Sequence, residues 1–427
     1  MNEIPFPVDS WIEKTVDLPN GLRHVMVVDS ASDDPLTRLY MTGSGIWLNS
    51  YLVRVMSAIV RPGDRVIDLG TFAGDFALAA AAHRCDVLAV EANPALAEMV
   101  RYSAELNHFA ALRVVNAAIG DAPGSVTFLS NGPWGQVQTG PATGRGAQLA
   151  HVAQVTVDDL LDALAWNAVA FMKVDIEGSE MRALAGASRL LSSPDAPALL
   201  IESNISPLME NGTEPRALLE AIEDFGYRLH RVMPDEIVRC DASDFQAETV
   251  ADYLALKNRT LPELGLDARE PLTLSETAAR VLREASNENE AHRRSIGWQL
   301  QFAPSDLLEH RDVQRALTAL REDPEEGVRG AVFARVEPPE PDAKLVPVDG
   351  RQLAERVLRT SAEAQLAVAH RLQRHQPDDA PDPQIQPGPM AMQVAWRLSG
   401  AGRRHPRLAR AARRLIRMAA RSKRSRH

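Results

Sequence analysis

Cysteine is almost missing from this chain: there are two in 427 residues, Cys85 and Cys240, far too distant in sequence to form a CxxC pair. Neither a disulfide framework nor a thiolate metal or redox motif can be built from them, and a reducing compartment is expected. Long apolar runs are missing too. Nowhere do 18 uncharged apolar residues follow one another, so no transmembrane helix is expected. The opening residues MNEIPFPVDSWIEK lack a basic segment followed by an apolar one, so no signal peptide is expected and the location is read as cytoplasmic. Aromatic residues are scarce at 5%, and no basic patch is interleaved with them, which speaks against a nucleic-acid partner. Acidic residues are absent from one long stretch, 396–427, which holds 12 of the 47 basic residues. The formal charge of −10 therefore hides a body with 35 bases against 57 acids, a net of −22.

What is present is ordinary globular composition, 45% hydrophobic and 24% charged, which excludes wholesale disorder, collagen and a coiled-coil rod. From about 60 to 258, short apolar runs alternate with helical patterns. Arg65-Val-Ile-Asp-Leu69, Asp86-Val-Leu-Ala-Val90, Leu112-Arg-Val-Val115, Ala170-Phe-Met-Lys-Val174 and Ala198-Leu-Leu-Ile201 are too uniformly apolar for one wet face, and so read as buried parallel strands. Asn93-Pro94 supplies an N-cap and a first-turn proline for the helix that follows, with Leu96, Met99, Val100, Ser103 and Leu106 at helical spacing. Strand, helix and strand in repetition specify a doubly wound α/β sheet. Gly226-Tyr-Arg-Leu229 and Asp252-Tyr-Leu-Ala-Leu256 complete it as two further strands.

On this reading the chain divides into a preamble with a β-hairpin at Pro19-Asn-Gly-Leu22 (1–58), the α/β domain (59–258), a helical extension (262–375), a Pro-rich linker (376–395) and a basic amphipathic tail (396–427). The extension carries a capping box, Thr273-Leu-Ser-Glu276, and a second helix from about Gln352 to Gln373. The Gly-rich stretch from Leu129 to Val155 reads as a long loop suited to a lid, which would make His151 a candidate base only if it folded over the pocket.

The chemistry gathers at the strand ends. Asp68-Leu-Gly70-Thr71-Phe-Ala-Gly74 is a strand end, a glycine turn and a helix start, but it lacks the GxGxxG of a pyrophosphate site and carries a carboxylate that would repel phosphate. That pattern suits a phosphate-free cofactor with a cationic amino-acid part, S-adenosylmethionine. Glu91, 21 residues after Gly70, is placed to accept both ribose hydroxyls, and Ala118 in the small-residue turn Asn116-Ala-Ala-Ile-Gly-Asp121 is placed to flank an adenine. Lys173-Val-Asp175-Ile-Glu177 puts three charged groups on one side as its strand leaves the sheet, and Glu202-Ser-Asn204 ends the next strand.

These segments, together with Val157-Asp-Asp-Leu160, the run from Lys173 to Gly186 and Asp252-Tyr-Leu-Ala-Leu256, resemble the FkbM family of S-adenosylmethionine-dependent methyltransferases over roughly 40–258. The resemblance implies a Rossmann-like class I methyltransferase sheet, mostly parallel with seven strands, ahead of the helical extension. It also implies methyl transfer to a hydroxyl of a sugar, polyketide or similar metabolite, with a small-molecule or glycan substrate. Cofactor contacts then fall to Asp68, Gly70, Thr71, Gly74, Glu91, Ala118 and Asp175, and catalysis to Asp175, Glu177, Lys173 and Glu202. No metal site is assigned: Asp175 with Glu202 or Asn204 offers oxygen ligands to a divalent cation, so a metal is possible there but is not favoured. The glycine turn departs from the family's D-x-G-A-N-x-G at Thr71 and Phe72, which leaves open a catalytically degenerate scaffold acting through its extension and tail. The tail's basic face suits an anionic membrane surface, at the inner face of the membrane, or an acidic protein.

Overall fold

The computed structural model describes residues 9–32, 37, 40–41, 50–130, 135–137, 148–332 and 348–375. The Pro-rich linker, the basic tail, and Gly132, Gly140, Gly144 and Gly146 of the expected lid lie outside them. The chain forms two compact units, one from the described parts of 1–47, 61–116 and 355–375, the other from 50–60 and the described parts of 117–354. Neither follows the boundaries read from the sequence.

The first unit opens with strands β1 (Trp11–Asp17) and β2 (Arg23–Asp29), paired antiparallel with Trp11 opposite Asp29. Strands β3 (Arg65–Leu69), β4 (Asp86–Glu91) and β5 (Leu112–Asn116) are parallel, in the order β3-β4-β5. Val66, Ile67, Val87, Leu88 and Val114 are 0–1% exposed, as strands covered on both faces require. The helix Pro94–Leu106 begins where its cap predicts, with the Asn93 side chain accepting from Ala95 N–H at 3.0 Å. Its Ser103 and the following Asn107 accept the Val27 and Val25 amides of β2 at 3.0 and 2.7 Å, which ties the hairpin down.

The second unit holds a small four-stranded sheet of β6 (Ala118–Ile119), β7 (Gly124–Ser130), β8 (Gln136–Val137) and β9 (Gln148–Val155), in the order β6-β9-β7-β8. The loop expected through Val155 is thus corrected: its last eight residues are a strand, because Gln148–Val155 finds a full antiparallel partner in β7. β10 (Phe171–Val174), β11 (Ala198–Asn204), β12 (Arg228–Val232), β13 (Ile237–Arg239) and β14 (Val250–Leu256) are ordered β13-β12-β14-β11-β10, with β10 and β11 parallel and the rest antiparallel. All seven strands read from the sequence are present, β3 to β5 in the first unit and β10, β11, β12 and β14 in the second, where the short β13 is added.

Beyond β14, helices Leu274–Ala285, Glu290–Gln299, Arg311–Arg321 and Glu326–Ala331 share a core of Ala278, Val281, Ile296, Leu300, Val313, Leu320 and Val328. The Thr273 capping box forms in full. A buried ion network joins this bundle to β12. Arg231, 2% exposed, meets Asp244 at 2.6 Å and Glu248 at 3.2 Å, and Glu248 also accepts from Arg280. Removing one cation from such a cluster strands its acids in a low dielectric. Arg231→Ala is therefore expected to cost about 3–5 kcal/mol, read as a lower urea midpoint with an unchanged slope.

Candidate functional site

In the first unit the end of β3 turns sharply. Gly70 (φ 76°) and Gly74 (φ 88°) take left-handed conformations, and so does Phe72 (φ 49°), where an Asn or Gly would sit with less strain. Buried Asp68 accepts from Thr71 Oγ1 at 2.7 Å, which fixes the first half of the turn. Glu91 fixes the second. One of its carboxylate oxygens accepts Phe72 N–H and the other Asn93 N–H, both at 2.8 Å. The acid expected to face a ribose is thus also the clasp that holds the glycine turn to the end of β4. Asp68, Gly70, Thr71, Gly74 and Glu91 are brought together here. Ala118 is in the other unit, on β6, and 3% exposed.

In the second unit, Lys173 on β10, Asp175 and Glu177 just beyond it and Glu202 on β11 converge. Lys173 Nζ donates to Asp175 Oδ2 at 2.7 Å. The loop past β10 is forced by Glu177 (φ 51°) and Gly178 (φ 98°), and a Cβ on Gly178 would lie 2.4 Å from the Pro207 carbonyl. Beneath it, buried Glu180 accepts the amides of Ile176 and Gly178 at 3.1 and 3.2 Å. Asn204, at the end of β11, donates to Glu177 Oε2 at 3.1 Å. One carboxylate oxygen from each of Asp175, Glu177 and Glu202 lies within 4.8 Å of the others. An all-carboxylate set of this spacing fits a hard divalent cation, and these three residues would hold it.

Without a cation the crowding is relieved by protons. Burial, then the charges of Asp175 and Glu180, push the Glu177 carboxyl up to about 9; burial, then the charges of Asp175, Glu177 and Asp252, push Glu202 well up. Asp252 is raised less, to about 6, by burial and Asp175, because Tyr51 Oη donates to it at 2.5 Å. Sequence reasoning did not place Asp252 and Tyr51 in the site. Asp252 stands directly opposite Glu202 in the antiparallel pairing of β14 with β11, a register that the period-two pattern of Asp252, Leu254 and Leu256 hinted at. Tyr51, from the helix Ser50–Ile59, left no such signal. His151 lies on β9, exposed, 3.4 Å from Thr127 Oγ1, and joins neither group.

The family model of the methyltransferase FkbM domain matches residues 68–229, under half of the chain. The FkbM match runs from Asp68 at the glycine turn to Leu229 on β12 and takes in every residue assigned to the site from sequence. Among solved structures, a TehB-like SAM-dependent methyltransferase from Corynebacterium glutamicum shares 14% identity over 48% of this chain and 88% of its own, with a TM-score of 0.26. Aeropyrum pernix fibrillarin, solved with bound S-adenosyl-L-methionine, shares 13% over 57% of this chain and 93% of its own, with a TM-score of 0.28. No curated protein matches the chain. Among the described residues no helix is long and apolar enough to cross a membrane.

The raised Glu177 carboxyl has a cost that grows with pH. Its folded value lies above the unfolded one, so the stability it contributes is complete below the unfolded value of 4.5 and is lost as pH rises towards about 9. Glu177→Gln, in chelator-containing buffer, is expected to gain on the order of 1–3 kcal/mol over the wild type at pH 7 and more at pH 9, with no gain at pH 4, as measured by thermal melts across that range.

Proposed function

We propose that this protein transfers a methyl group from S-adenosylmethionine to a hydroxyl of a sugar, polyketide or similar small molecule or glycan. The observation that carries the reading is the glycine turn of the FkbM domain, walled by Asp68 and clasped by the two oxygens of Glu91. Two fixed carboxylates repel phosphate and accept from the hydroxyls of a ribose, while the cationic sulfonium and ammonium groups of this cofactor are tolerated beside them.

The cofactor supplies an electrophilic methyl when bound. The remaining work is to hold an acceptor oxygen in line, about 3 Å from the methyl carbon, and to take its proton. Lys173 holds Asp175, which orients cofactor or acceptor. Glu177, expected with Glu202 as a base from sequence, keeps its proton at neutral pH when no cation is held and so serves as a hydrogen-bond donor to the acceptor, and burial shifts Glu202 in the same direction. Asp252 loses its proton near pH 6 and is the member of the cluster available as base at pH 7. A metal-free reaction is part of this reading, with Lys173 bonded to Asp175, Asn204 to Glu177 and Tyr51 to Asp252. A cytoplasmic location is part of this reading, and the charge of the 396–427 segment supports a tether to an anionic inner membrane surface or an acidic protein.

Titration calorimetry with S-adenosylmethionine tests this directly. The wild type is expected to bind in the presence of a chelator. Glu91→Gln should weaken binding at least tenfold, by about 1.4 kcal/mol or more, whereas Asp175→Asn should leave the melting temperature within a few degrees but abolish turnover of a hydroxylated acceptor. Absent binding by the wild type would reject the proposed cofactor.

A further inference from the structure

The long helix Gly350–His375 lies well beyond residue 229, where the FkbM match ends. Its C-terminal part belongs to the same unit as the glycine turn. Val357, Leu366, Val368 and Ala369 on it are buried, and among them stands a polar residue, Ser361, only 6% exposed. A buried serine in an apolar stripe needs a partner, and Ser361 Oγ accepts the backbone N–H of Asn116, the last residue of β5, at 3.4 Å. One turn on, Gln365 Nε2 donates to the Leu112 carbonyl at 3.2 Å, and the same side chain hydrogen-bonds Glu105.

These two contacts match the strand. In a parallel strand, alternate residues turn both backbone groups to the same side, so the outward N–H of Asn116 and the outward C=O of Leu112 are two repeats apart, which a pair four residues apart on a helix can reach together. Asn116 in turn is bonded to the Glu91 turn. Its Nδ2 donates to the carbonyls of Glu91 at 2.8 Å and Ala92 at 3.0 Å. Glu91 then clasps Phe72 and Asn93. Hydrogen bonds thus run unbroken from the helix through Asn116 and Glu91 to the glycine turn, all within one unit.

We propose that Ser361, seconded by Gln365, is a positioning residue for the nucleoside-binding half of the site, so that the C-terminal helix completes a site which the FkbM domain alone leaves unsupported. The proposal rests on the S-adenosylmethionine reading for its ligand but not for its geometry. Ser361 sets the end of β5, Asn116 transmits that setting to the backbone around Glu91, and the Glu91 carboxylate is delivered to the ribose at the correct height. The extension thereby tunes cofactor affinity without touching cofactor.

The test compares full-length wild type with Ser361→Ala/Gln365→Leu and with Ser361→Thr, which keeps the hydroxyl. Two quantities are read: affinity for S-adenosylmethionine by calorimetry, and amide exchange in 91–93 and 116–118 by mass spectrometry. The double variant is expected to bind roughly tenfold more weakly, with faster exchange in both segments, and Ser361→Thr to restore both. Unchanged affinity and unchanged exchange in a folded double variant would overturn the proposal. Should wild type fail to bind S-adenosylmethionine, the cofactor reading falls while the exchange arm still decides: faster exchange at 91–93 sustains the linkage from helix to turn, and unaltered exchange there rejects it.

Discussion

The contact between Lys173 Nζ and Asp175, 2.7 Å long, governs the second unit's candidate site. Asp175, Glu177, Glu202 and Asp252 bring four carboxyl groups to the ends of β10 and β11 and to the strand beside them, and Lys173 is the one cation that lowers the cost of all three acids raised above their ordinary range. Charges this close in a half-dry setting repel by several kcal/mol unless something neutralises them. Protons, a cation or a substrate can each do so. The cluster is therefore poised to change state when something binds, which a set of solvated surface acids would not be.

The first unit solves the opposite problem. Its acids, Asp68 and Glu91, are bonded to hydroxyl and amide donors of their own turn, so they are held in place before any ligand arrives. Rigid acceptors bind with little ordering cost, and movable protons suit chemistry; on the proposed reading the two kinds of carboxylate environment divide accordingly between holding and reacting.

Local signals carried much of this in the sequence. The buried strands, the Asn93 cap, the Thr273 capping box and the carboxylate-bearing glycine turn all depend on residues within a few positions of one another, and period and cap chemistry suffice to find them. Asp252 and Tyr51 were not legible as site residues because their placement depends on which register β14 adopts against β11 and on where a helix 201 positions away packs, both non-local. β9 was hidden by the glycines before it, since loop composition masks a strand whose partner supplies the order. The double duty of Glu91 was hidden for another reason: a carboxylate at a strand end reads the same whether it faces ligand or backbone.

The flank of β5 away from β4 has no strand beside it among the described residues of its unit. Three side chains cover its backbone instead: Arg101 on the Val114 carbonyl at 3.3 Å, Gln365 on Leu112 and Ser361 on Asn116. Two of the three come from sequence far outside the matched domain. A fragment trimmed to 68–229 would keep the arginine and lose the other two, and an apolar strand with bare N–H and C=O groups invites pairing with a strand of another molecule. The boundary drawn by the family match is thus a poor place to cut the chain: the trimmed protein would be prone to aggregate through the very edge that the distant helix seals.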